Sequence, residues 1–360
     1  MSVYVVSRDK LEHNIKELQR LANGVPIWAV VKGDGYGLGA LPLAEALQEQ
    51  GIGNFCVTDL REAQILRENG FRDAQILMLR SVTDREEIGA LLDLRVIMTV
   101  GSMQAAQMIE EIAAFRADVA QVHVKVDTGM GRYGFMPQEI ETIASVYCEM
   151  SHIAVCGIYT HFNCAFCDDE LTKKEFSEFS EVLRQLHALG IETGMAHCCN
   201  SAAFLKHPEM HMDGVRLGSA VLGRMAFQTR LRPVGYVKTQ VEELHLLKKG
   251  QTTGYGAMWK AKRDSVLAII PIGRFHGFCL QCQPARSRRD CLREILSNLK
   301  SMIRPSRTTV EINGKVCRVV GAIGMLHCAV DVTDIDCKRG DRVTVAVNPL
   351  YVKGLPVQFK

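Results

Sequence analysis

The hydrophobic pattern from Ile27 to Gly218 alternates between two kinds of segment. Short apolar runs rich in β-branched residues are typical of buried strands. Longer stretches carry apolar residues at every third or fourth position, which is typical of amphipathic helices, and they fall at residues 41–49, 60–69 and 173–189. This alternation indicates βα units arranged around a parallel sheet.

The pattern predicts eight strands in this region. They fall at residues 27–31, 54–58, 75–79, 95–99, 121–126, 153–160, immediately before His197, and 212–216. Eight βα units within about 190 residues predict an α/β fold with an N-terminal (β/α)8 barrel of the TIM type. A doubly wound parallel sheet is the alternative.

The pattern changes after about Arg224. Strand-like segments separated by turn residues then fall at residues 237–246, 265–271, 308–312, 315–320 and 342–347. Asn313-Gly314 joins two of them and is a strong hairpin signal, because both residues tolerate positive φ. We therefore expect a barrel domain at residues 1–224 and a C-terminal, mostly β domain at residues 225–360. Residues 279–307 interrupt the second domain with a basic, helix-compatible stretch at 288–303.

Composition and charge narrow the class of protein. Of the 360 residues, 47% are hydrophobic and 23% are charged, as in ordinary globular domains. A net charge of +3 gives no reason to expect nucleic acid or a membrane surface as a partner. No apolar run approaches the roughly 20 residues of a membrane-spanning helix, and the N-terminus lacks signal-peptide features. We therefore expect a cytoplasmic protein.

The thirteen cysteines are scattered along the chain. In the absence of a secretory signal they favour reduced thiols over a disulfide framework. Two CxxC pairs occur, Cys164 with Cys167 and Cys279 with Cys282, but neither lies in a sequence typical of a zinc knuckle. We therefore expect free thiols and no metal site.

Residue types suited to catalysis follow the carboxyl ends of the predicted barrel strands, where barrel enzymes place their active sites. They are Lys32, Lys125, Arg132, His161, Asn200, Ser201 and Arg216. Lys32 ends a buried strand, and burial lowers the pKa of a lysine amine, which makes it a candidate nucleophile for Schiff-base formation. The alternative is a lysine that merely extends from the strand end into water.

Six motifs resemble those of the alanine racemases, in the same order and over almost the whole chain. Residues 28–39, Trp-Ala-Val-Val-Lys-Gly-Asp-Gly-Tyr-Gly-Leu-Gly, resemble the cofactor-lysine motif of that family. The other five motifs lie at residues 125–134, 159–162, 197–201, 213–218 and 254–256. The chain therefore resembles a racemase that uses pyridoxal 5′-phosphate (PLP) as its cofactor and a free amino acid as its substrate.

The resemblance implies a role for each matching residue. Lys32 would bind the PLP aldehyde as a Schiff base, and His161 would pack on the pyridine ring. The phosphate would be held by Tyr36, Ser201, Gly218 and Ser219, with Asn200 beside them and Tyr351 as an approximate counterpart of a further phosphate-binding tyrosine. Arg132 and the backbone of Met325 would bind the substrate carboxylate. Lys125 matches a lysine that family members often carry in carbamylated form.

Arg216 and Tyr255 bear most directly on the reaction. The family counterpart of Arg216 faces the pyridine nitrogen of PLP, and a guanidinium cannot transfer a proton to that nitrogen. The cofactor is then a weaker electron sink, which suits racemisation better than decarboxylation. Racemisation needs an acid/base group on each face of a planar carbanion. The resemblance assigns Lys32 to one face and Tyr255 to the other. Because the family supplies this tyrosine across a subunit interface, it implies a homodimer with shared active sites.

Two positions near the expected substrate entrance depart from the family. Arg274 replaces a tyrosine there, which makes it a candidate substrate-binding residue, and Leu326 replaces an acidic residue. We expect conversion of L-alanine to D-alanine, with serine or an acidic or larger amino acid as alternative substrates. A PLP decarboxylase on the same barrel and a non-catalytic PLP-binding protein are the competing classes.

Overall fold

The computed structural model describes residues 1–280 and 308–360. The stretch 288–303 that was predicted to be helix-compatible, and Cys282 of the second CxxC pair, lie outside the described residues. The described chain forms two compact units, Arg8–Val234 and a second one made of Met1–Ser7 together with Gly235–Lys360.

The first strand differs from the sequence expectation, which assigned residues 1–7 to the barrel. Strand β1 (Val3–Val6) pairs in antiparallel register with residues 235–238 and in parallel register with residues 357–359. Its partners are therefore more than 200 positions away in the chain. Tyr4, Val5 and Val6 are buried there, so their apolar side chains join the core of the second unit.

The first unit contains the eight predicted barrel strands. They are β2 (Ile27–Val30), β3 (Asn54–Val57), β4 (Gln75–Ser81), β5 (Ile97–Val100), β6 (Ala120–Lys125), β7 (Ile153–Tyr159), β8 (Met195–His197) and β9 (Val215–Leu217). The ladders are parallel and run in the order β9-β2-β3-β4-β5-β6-β7-β8. Between β8 and β9, the Asp213 N–H donates to the Ala196 carbonyl at 3.0 Å and the Arg216 N–H to the Cys199 carbonyl at 3.0 Å. The barrel is thus nearly closed, which confirms the predicted fold class.

Amphipathic helices connect these strands. They are Arg8–Ala22, Ala40–Gln48, Leu60–Glu68, Arg85–Asp93, Met103–Phe115, Ile140–Cys148, Asp169–Ala188 and Ser201–Lys206, followed by a 3-10 turn at Pro208–Met210. Several begin at an N-cap whose side chain accepts a backbone N–H, for example Asp84 from Glu87 and Asp168 from Leu171. No helix of the described residues is long and apolar enough to cross a membrane.

The second unit is mostly β. Its remaining strands are β10 (Gly235–Gln240), β11 (Glu243–Leu247), β12 (Thr252–Thr253), β13 (Trp259–Lys260), β14 (Ser265–Ile270), β15 (Thr309–Ile312), β16 (Lys315–Val320), β17 (Cys328–Asp331), β18 (Arg342–Val345) and β19 (Val357–Phe359). Nine strands form one sheet in the order β11-β14-β17-β16-β15-β18-β10-β1-β19, and β12 pairs with β13. Short 3-10 turns lie at Tyr255–Ala257, Arg274–His276 and Pro349–Tyr351.

Two details test the predicted β segments. Asn313 and Gly314 have φ of 49° and 79° in the turn between β15 and β16, so the predicted hairpin is confirmed. The segment expected as one strand at 237–246 is instead two strands, because β10 pairs with β1 and β18 whereas β11 pairs with β14. The chain changes its partners at Val241 and Glu242.

Candidate active site

A cationic cavity lies at the carboxyl ends of the barrel strands. Its volume is about 160 Å³. The structure brings five of the sequence-predicted residues together around it, namely Lys32, Lys125, Arg132, His161 and Arg216. The remaining lining residues are Thr58, Leu79, Arg80, Tyr133 and Tyr159. Four of the five predicted residues are lysine or arginine, so the cavity suits an anionic ligand.

Lys32 begins an unusual turn directly after β2. Residues Gly33, Asp34, Gly35 and Tyr36 all have φ between 51° and 62°, so residues 33–36 form a left-handed helical turn. Left-handed backbone costs roughly 1–2 kcal/mol at a residue other than glycine. Hydrogen bonds offset this cost at Asp34, whose N–H donates to Glu62 at 3.1 Å and whose carboxylate accepts the Ala40 N–H at 2.8 Å. Sequence reasoning did not single out Glu62, which is buried and shapes this turn.

The surroundings of Lys32 favour its neutral amine. Burial lowers the pKa of Lys32, and the positive charge of Arg132 lowers it further. A lysine amine attacks a carbonyl carbon only when it is unprotonated. The cavity therefore supplies a nucleophilic amine at a lower pH than a lysine in water would.

A second group of predicted residues forms a small cradle beside β9. The Ser201 hydroxyl accepts the backbone N–H groups of Gly218 at 3.1 Å and Ala220 at 3.2 Å. A Cβ at Gly218 would lie 2.0 Å from the Tyr36 hydroxyl oxygen, so these two residues are in close contact and only glycine fits. Burial raises the pKa of Tyr36, which keeps its hydroxyl protonated and able to donate.

Asn200 and Ser219 complete this region. Asn200 is the N-cap of the helix Ser201–Lys206, where its side chain accepts the N–H groups of Ala202 and Ala203 at 3.0 and 3.1 Å. Its own amide donates to the Phe162 carbonyl at 3.2 Å. Asn200 therefore orients the Ser201 turn, while Ser219 lies between the two residues whose N–H groups Ser201 accepts.

Arg216 is buried, and its guanidinium is held by neutral acceptors. It donates to His197 Nδ1 and to the Thr160 carbonyl at 2.6 Å each, and to the carbonyls of His197 and Cys198 at 3.1 and 3.2 Å. The guanidinium also lies 4.9 Å from the centre of the Tyr159 ring. Among the described residues, the recorded hydrogen-bond partners of Arg216 include no carboxylate.

Two histidines that sequence reasoning did not assign extend this network. Because the guanidinium can only donate, His197 Nδ1 accepts and its Nε2 carries the proton. His197 Nε2 lies 2.9 Å from His123 Nδ1, so it donates there. Burial lowers the pKa of His197 well below its usual range, and it lowers that of His123 to about 3, with Arg216 contributing to both shifts. Both rings therefore stay neutral and fix the position of Arg216.

A compact loop presents Arg132. The Asp127 carboxylate accepts the N–H groups of Gly129, Gly131 and Arg132 at 2.9–3.1 Å. The ends of the loop are joined by the Phe135 N–H, which donates to the Lys125 carbonyl at 2.9 Å, and by the Asp127 N–H, which donates to the Phe135 carbonyl at 2.8 Å. The motif at 125–134 is therefore a structured loop whose backbone sets the position of Arg132.

Lys125 is buried, and only 3% of its surface is exposed to solvent. Its ammonium lies 5.3 Å from the centre of the Tyr133 ring and 5.8 Å from that of Tyr159. No carboxylate of the described chain forms an ion pair with it. Burial lowers the pKa of Lys125 to about 8, with further contributions from Arg132 and Arg216. Such an amine is reactive toward small electrophiles near neutral pH.

Two predicted residues of the β unit, Tyr255 and Met325, line an open hollow. Tyr255 is 82% exposed and shares the hollow with Met325, Leu326 and His327. Gly254 has a φ of 79°, and a Cβ there would lie 2.7 Å from the Ala322 nitrogen, so the turn before Tyr255 requires glycine.

Arg274 and Tyr351 also belong to the β unit. The Arg274 N–H donates to the Gly324 carbonyl at 3.0 Å, next to Met325, whose carbonyl accepts the Phe275 N–H at 3.0 Å. The side chain of Arg274 is exposed, and no acid of the described residues pairs with it. The carbonyl of Tyr351 lies only 2.5 Å from the position of a Cβ at Gly277.

The first CxxC pair lies on the loop after β7. The Cys167 N–H donates to the Cys164 carbonyl at 2.8 Å, which makes the pair a turn. Within residues 1–280 and 308–360, no group of three or more potential metal-ligating side chains comes together.

Two family profiles match this chain. The profile of the alanine racemase N-terminal domain matches residues 6–225, and that of the alanine racemase C-terminal domain matches residues 234–353. The chain belongs to the alanine racemase family. This confirms the resemblance drawn from the six sequence motifs.

Individual relatives cover nearly the whole chain. Alanine racemases from Clostridium tetani and Methanococcus maripaludis are each 34% identical, cover 94% and 93% of this chain, and are themselves covered over 84% and 86% of their lengths. The solved alanine racemase of Clostridium difficile 630 has a TM-score of 0.81 at 28% identity, covering 99% of this chain and 88% of its own. That of E. faecalis has a TM-score of 0.80 at 26% identity, with 100% and 98% covered.

Proposed function

We propose that this chain is a PLP-dependent amino-acid racemase that interconverts L- and D-alanine. The observation that carries the proposal is the barrel cavity in which Lys32, an amine of lowered pKa, shares the lining with the carboxylate-free Arg216 network. The described cysteines are all free thiols, which supports a cytoplasmic location.

The residues present fit PLP. Lys32 provides the amine for the aldehyde, and Arg216 provides a cationic donor for the ring nitrogen. The cradle of Tyr36, Ser201 and Gly218 provides hydroxyls and close backbone approach for a phosphate, and a side chain at Gly218 would fill it. When bound, PLP supplies an electron-withdrawing ring that stabilises negative charge on the substrate α-carbon.

The Arg216 network favours proton transfer over other reactions. Arg216 stays protonated, and His197 and His123 stay neutral, so none of the three gives a proton to the cofactor ring or takes one from it. Arg216 would thus offer a bound PLP ring a hydrogen-bond donor but no proton source, and the cofactor would be a moderate electron sink. This suits removal and return of one α-proton and argues against a decarboxylase on the same barrel.

Racemisation further requires a proton-transfer group on each face of the substrate. A single base tends to return the proton to the face from which it was taken. We assign one face to the amine of Lys32 and the other to the hydroxyl of Tyr255. Because Tyr255 is exposed on the β unit, we propose that a partner subunit supplies it, so that the homodimer shares its active sites.

Two residues would bind the substrate carboxylate, and a third would support them. Arg132 offers a guanidinium at the cavity, and the Met325 backbone offers polar groups beside Tyr255. We propose that Lys125 takes up CO2 as a carbamate, in which the amine nitrogen bonds to carbon and releases a proton. The resulting anion would neutralise the buried charge and pair with Arg132.

The test is chiral analysis of a panel of L-amino acids after incubation with protein and PLP. We expect D-alanine to form, and we expect Lys32→Ala to abolish both this activity and the visible absorbance of bound PLP. A preference for serine or an acidic amino acid would change the substrate assignment. Absence of any D-amino acid from a protein that binds PLP through Lys32 would contradict the proposed function and favour a non-catalytic PLP-binding protein.

A further inference from the structure

Glu175 is a buried carboxyl group that the mechanism above does not use. It lies in the helix Asp169–Ala188 and is 1% exposed. One carboxylate oxygen, Oε2, accepts the backbone N–H of Asn163 at 3.1 Å. The other, Oε1, has no hydrogen-bond partner among the described residues. Burial raises the pKa of Glu175, and the nearby charges of Glu178 and Asp127 act in the same direction.

Asn163 connects Glu175 to the loop that carries Arg132. Its side-chain amide donates to the Gly129 carbonyl at 2.8 Å. Gly129 has a φ of 141°, and a Cβ there would lie 2.7 Å from Glu175 Oε1 and 3.2 Å from the Asn163 amide nitrogen. The loop after β6 is thus packed directly against the loop after β7 and against the helix that follows it.

Arg132 is part of the loop that this packing contacts, and its N–H donates to Asp127. Its side chain is exposed, and none of the described acids forms an ion pair with it. The loop of residues 127–135 is closed at its base by backbone hydrogen bonds. The Gly129 N–H donates to Asp127, which belongs to the loop, and the Gly129 carbonyl accepts the side-chain amide of Asn163, which lies outside the loop. If the Asn163–Gly129 hydrogen bond is lost, the backbone hydrogen bonds at the base of the loop remain, but residues 128–132 can move.

We propose that Glu175 and Asn163 are positioning residues that fix the Arg132 loop and thereby set the affinity for the substrate carboxylate. This inference rests on the proposed function, because Arg132 is taken to bind that carboxylate. Glu175 accepts the Asn163 N–H, Asn163 holds Gly129, and Gly129 and Asp127 together orient Arg132. Neither Glu175 nor Asn163 lines the barrel cavity.

The kinetic test uses Asn163→Ala, Glu175→Ala and the double variant. The hydrogen bond from Asn163 to Gly129 is exposed and the one from Asn163 to Glu175 is part-buried, so loss of either corresponds to a roughly two- to fivefold change in an equilibrium constant. We therefore expect KM for alanine to rise about two- to fivefold in each single variant, with kcat close to that of wild type. The double variant should resemble the single ones, because both residues act through the same contact.

Two further variants separate positioning from charge and from general destabilisation. Glu175→Gln keeps an oxygen that can accept the Asn163 N–H, so its KM should stay near wild type. Glu178→Ala, one turn further along the same helix, removes an acid that forms no hydrogen bond with Asn163 and should not change KM. If Glu175→Gln is as impaired as Glu175→Ala, or if kcat falls while KM is unchanged, the proposal is wrong.

Hydrogen exchange of the backbone amides at residues 127–135 tests the same contact without any activity. We expect faster exchange in Asn163→Ala and Glu175→Ala than in wild type and Glu178→Ala. Unchanged exchange in both variants would overturn the inference. If the wild type does not racemise alanine, the proposed function fails, and the exchange experiment still decides whether Glu175 and Asn163 fix the loop.

Discussion

Replacement of Lys125 by methionine is expected to stabilise the barrel at neutral pH. Lys125 is 3% exposed and has no ion-pair partner among the described residues. Its ammonium is therefore held in a site that disfavours charge, close to Arg132 and Arg216. Methionine has a similar length and no charge, so it can pack against Tyr133 and Tyr159, the two rings that the ammonium now faces.

The magnitude follows from the shift in the pKa of Lys125 from 10.5 to about 8. Such a shift corresponds to a cost of about 3 kcal/mol for the charged form in the folded protein. The contacts with the two rings contribute up to about 1 kcal/mol in the opposite direction. We therefore expect Lys125→Met to raise the free energy of unfolding by about 2 kcal/mol at pH 7.

The pH dependence has a definite sign. Between about pH 8 and 10.5 the unfolded wild type binds more protons at this lysine than the folded wild type. The wild-type free energy of unfolding therefore rises with pH through this window, whereas the methionine variant lacks that contribution. The advantage of Lys125→Met should thus be greatest below pH 8 and should decrease toward pH 10.5.

Urea unfolding of both apoproteins at pH 7 and pH 10.5, in buffer free of CO2, measures this difference. Lys16→Met is the matched control, because Lys16 has a 65% exposed side chain on the helix Arg8–Ala22. If Lys125→Met is no more stable than wild type at pH 7, or if its advantage is independent of pH, the reasoning fails. Added bicarbonate should stabilise wild type at pH 7 but not Lys125→Met if Lys125 forms a carbamate.

Two further predictions concern the cradle and the β unit. Gly218→Ala places a methyl group 2.0 Å from the Tyr36 hydroxyl, so PLP binding should weaken at least about fivefold in an absorbance titration, whereas Gly214→Ala should bind normally. Wild-type affinity in Gly218→Ala would exclude the cradle as the phosphate site. If Arg274, which has no acidic partner among the described residues, recognises a polar substrate group, Arg274→Tyr should lower the kcat/KM ratio of aspartate or serine over alanine at least about fivefold. An unchanged ratio removes Arg274 from substrate choice.

The barrel could be predicted because each of its strands can be recognised from its own short stretch of sequence. Buried parallel strands are continuous apolar runs, so the segments before Lys32 and around residues 121–126 indicate strands without any knowledge of their partners. Strand β1 has the same character, but its partners begin at residue 235, and nothing local distinguishes it from a lead-in to the helix Arg8–Ala22. Strand β19, the parallel partner of β1, was missed for the same reason. Strand β17 was missed although it pairs with its chain neighbour β16, because the strand is only four residues long.

The residues of the candidate site also fall into two groups, those that the local sequence indicates and those that it does not. Lys32 and Arg132 follow the ends of β2 and β6, and Arg216 lies in the short last barrel strand β9, so their position in the sequence already indicates a common site. The residues that orient them act over long distances in the chain. Glu62 accepts an N–H from a residue 28 positions away, and His123 contacts a histidine 74 positions away. Alternating glycines from Gly33 to Gly39 indicate a turn, but they do not reveal that Asp34 and Tyr36 adopt left-handed backbone as well.

The most direct test of the two-base assignment is proton exchange by Tyr255→Phe in D2O. The variant keeps Lys32, so with PLP it should exchange the α-proton of one alanine enantiomer for deuterium while forming the opposite enantiomer at least about a hundredfold more slowly than wild type. Mass spectrometry combined with chiral separation measures both processes in one sample. Racemisation at the wild-type rate, or equal exchange of both enantiomers, would contradict the assignment of Lys32 and Tyr255 to opposite faces of the substrate.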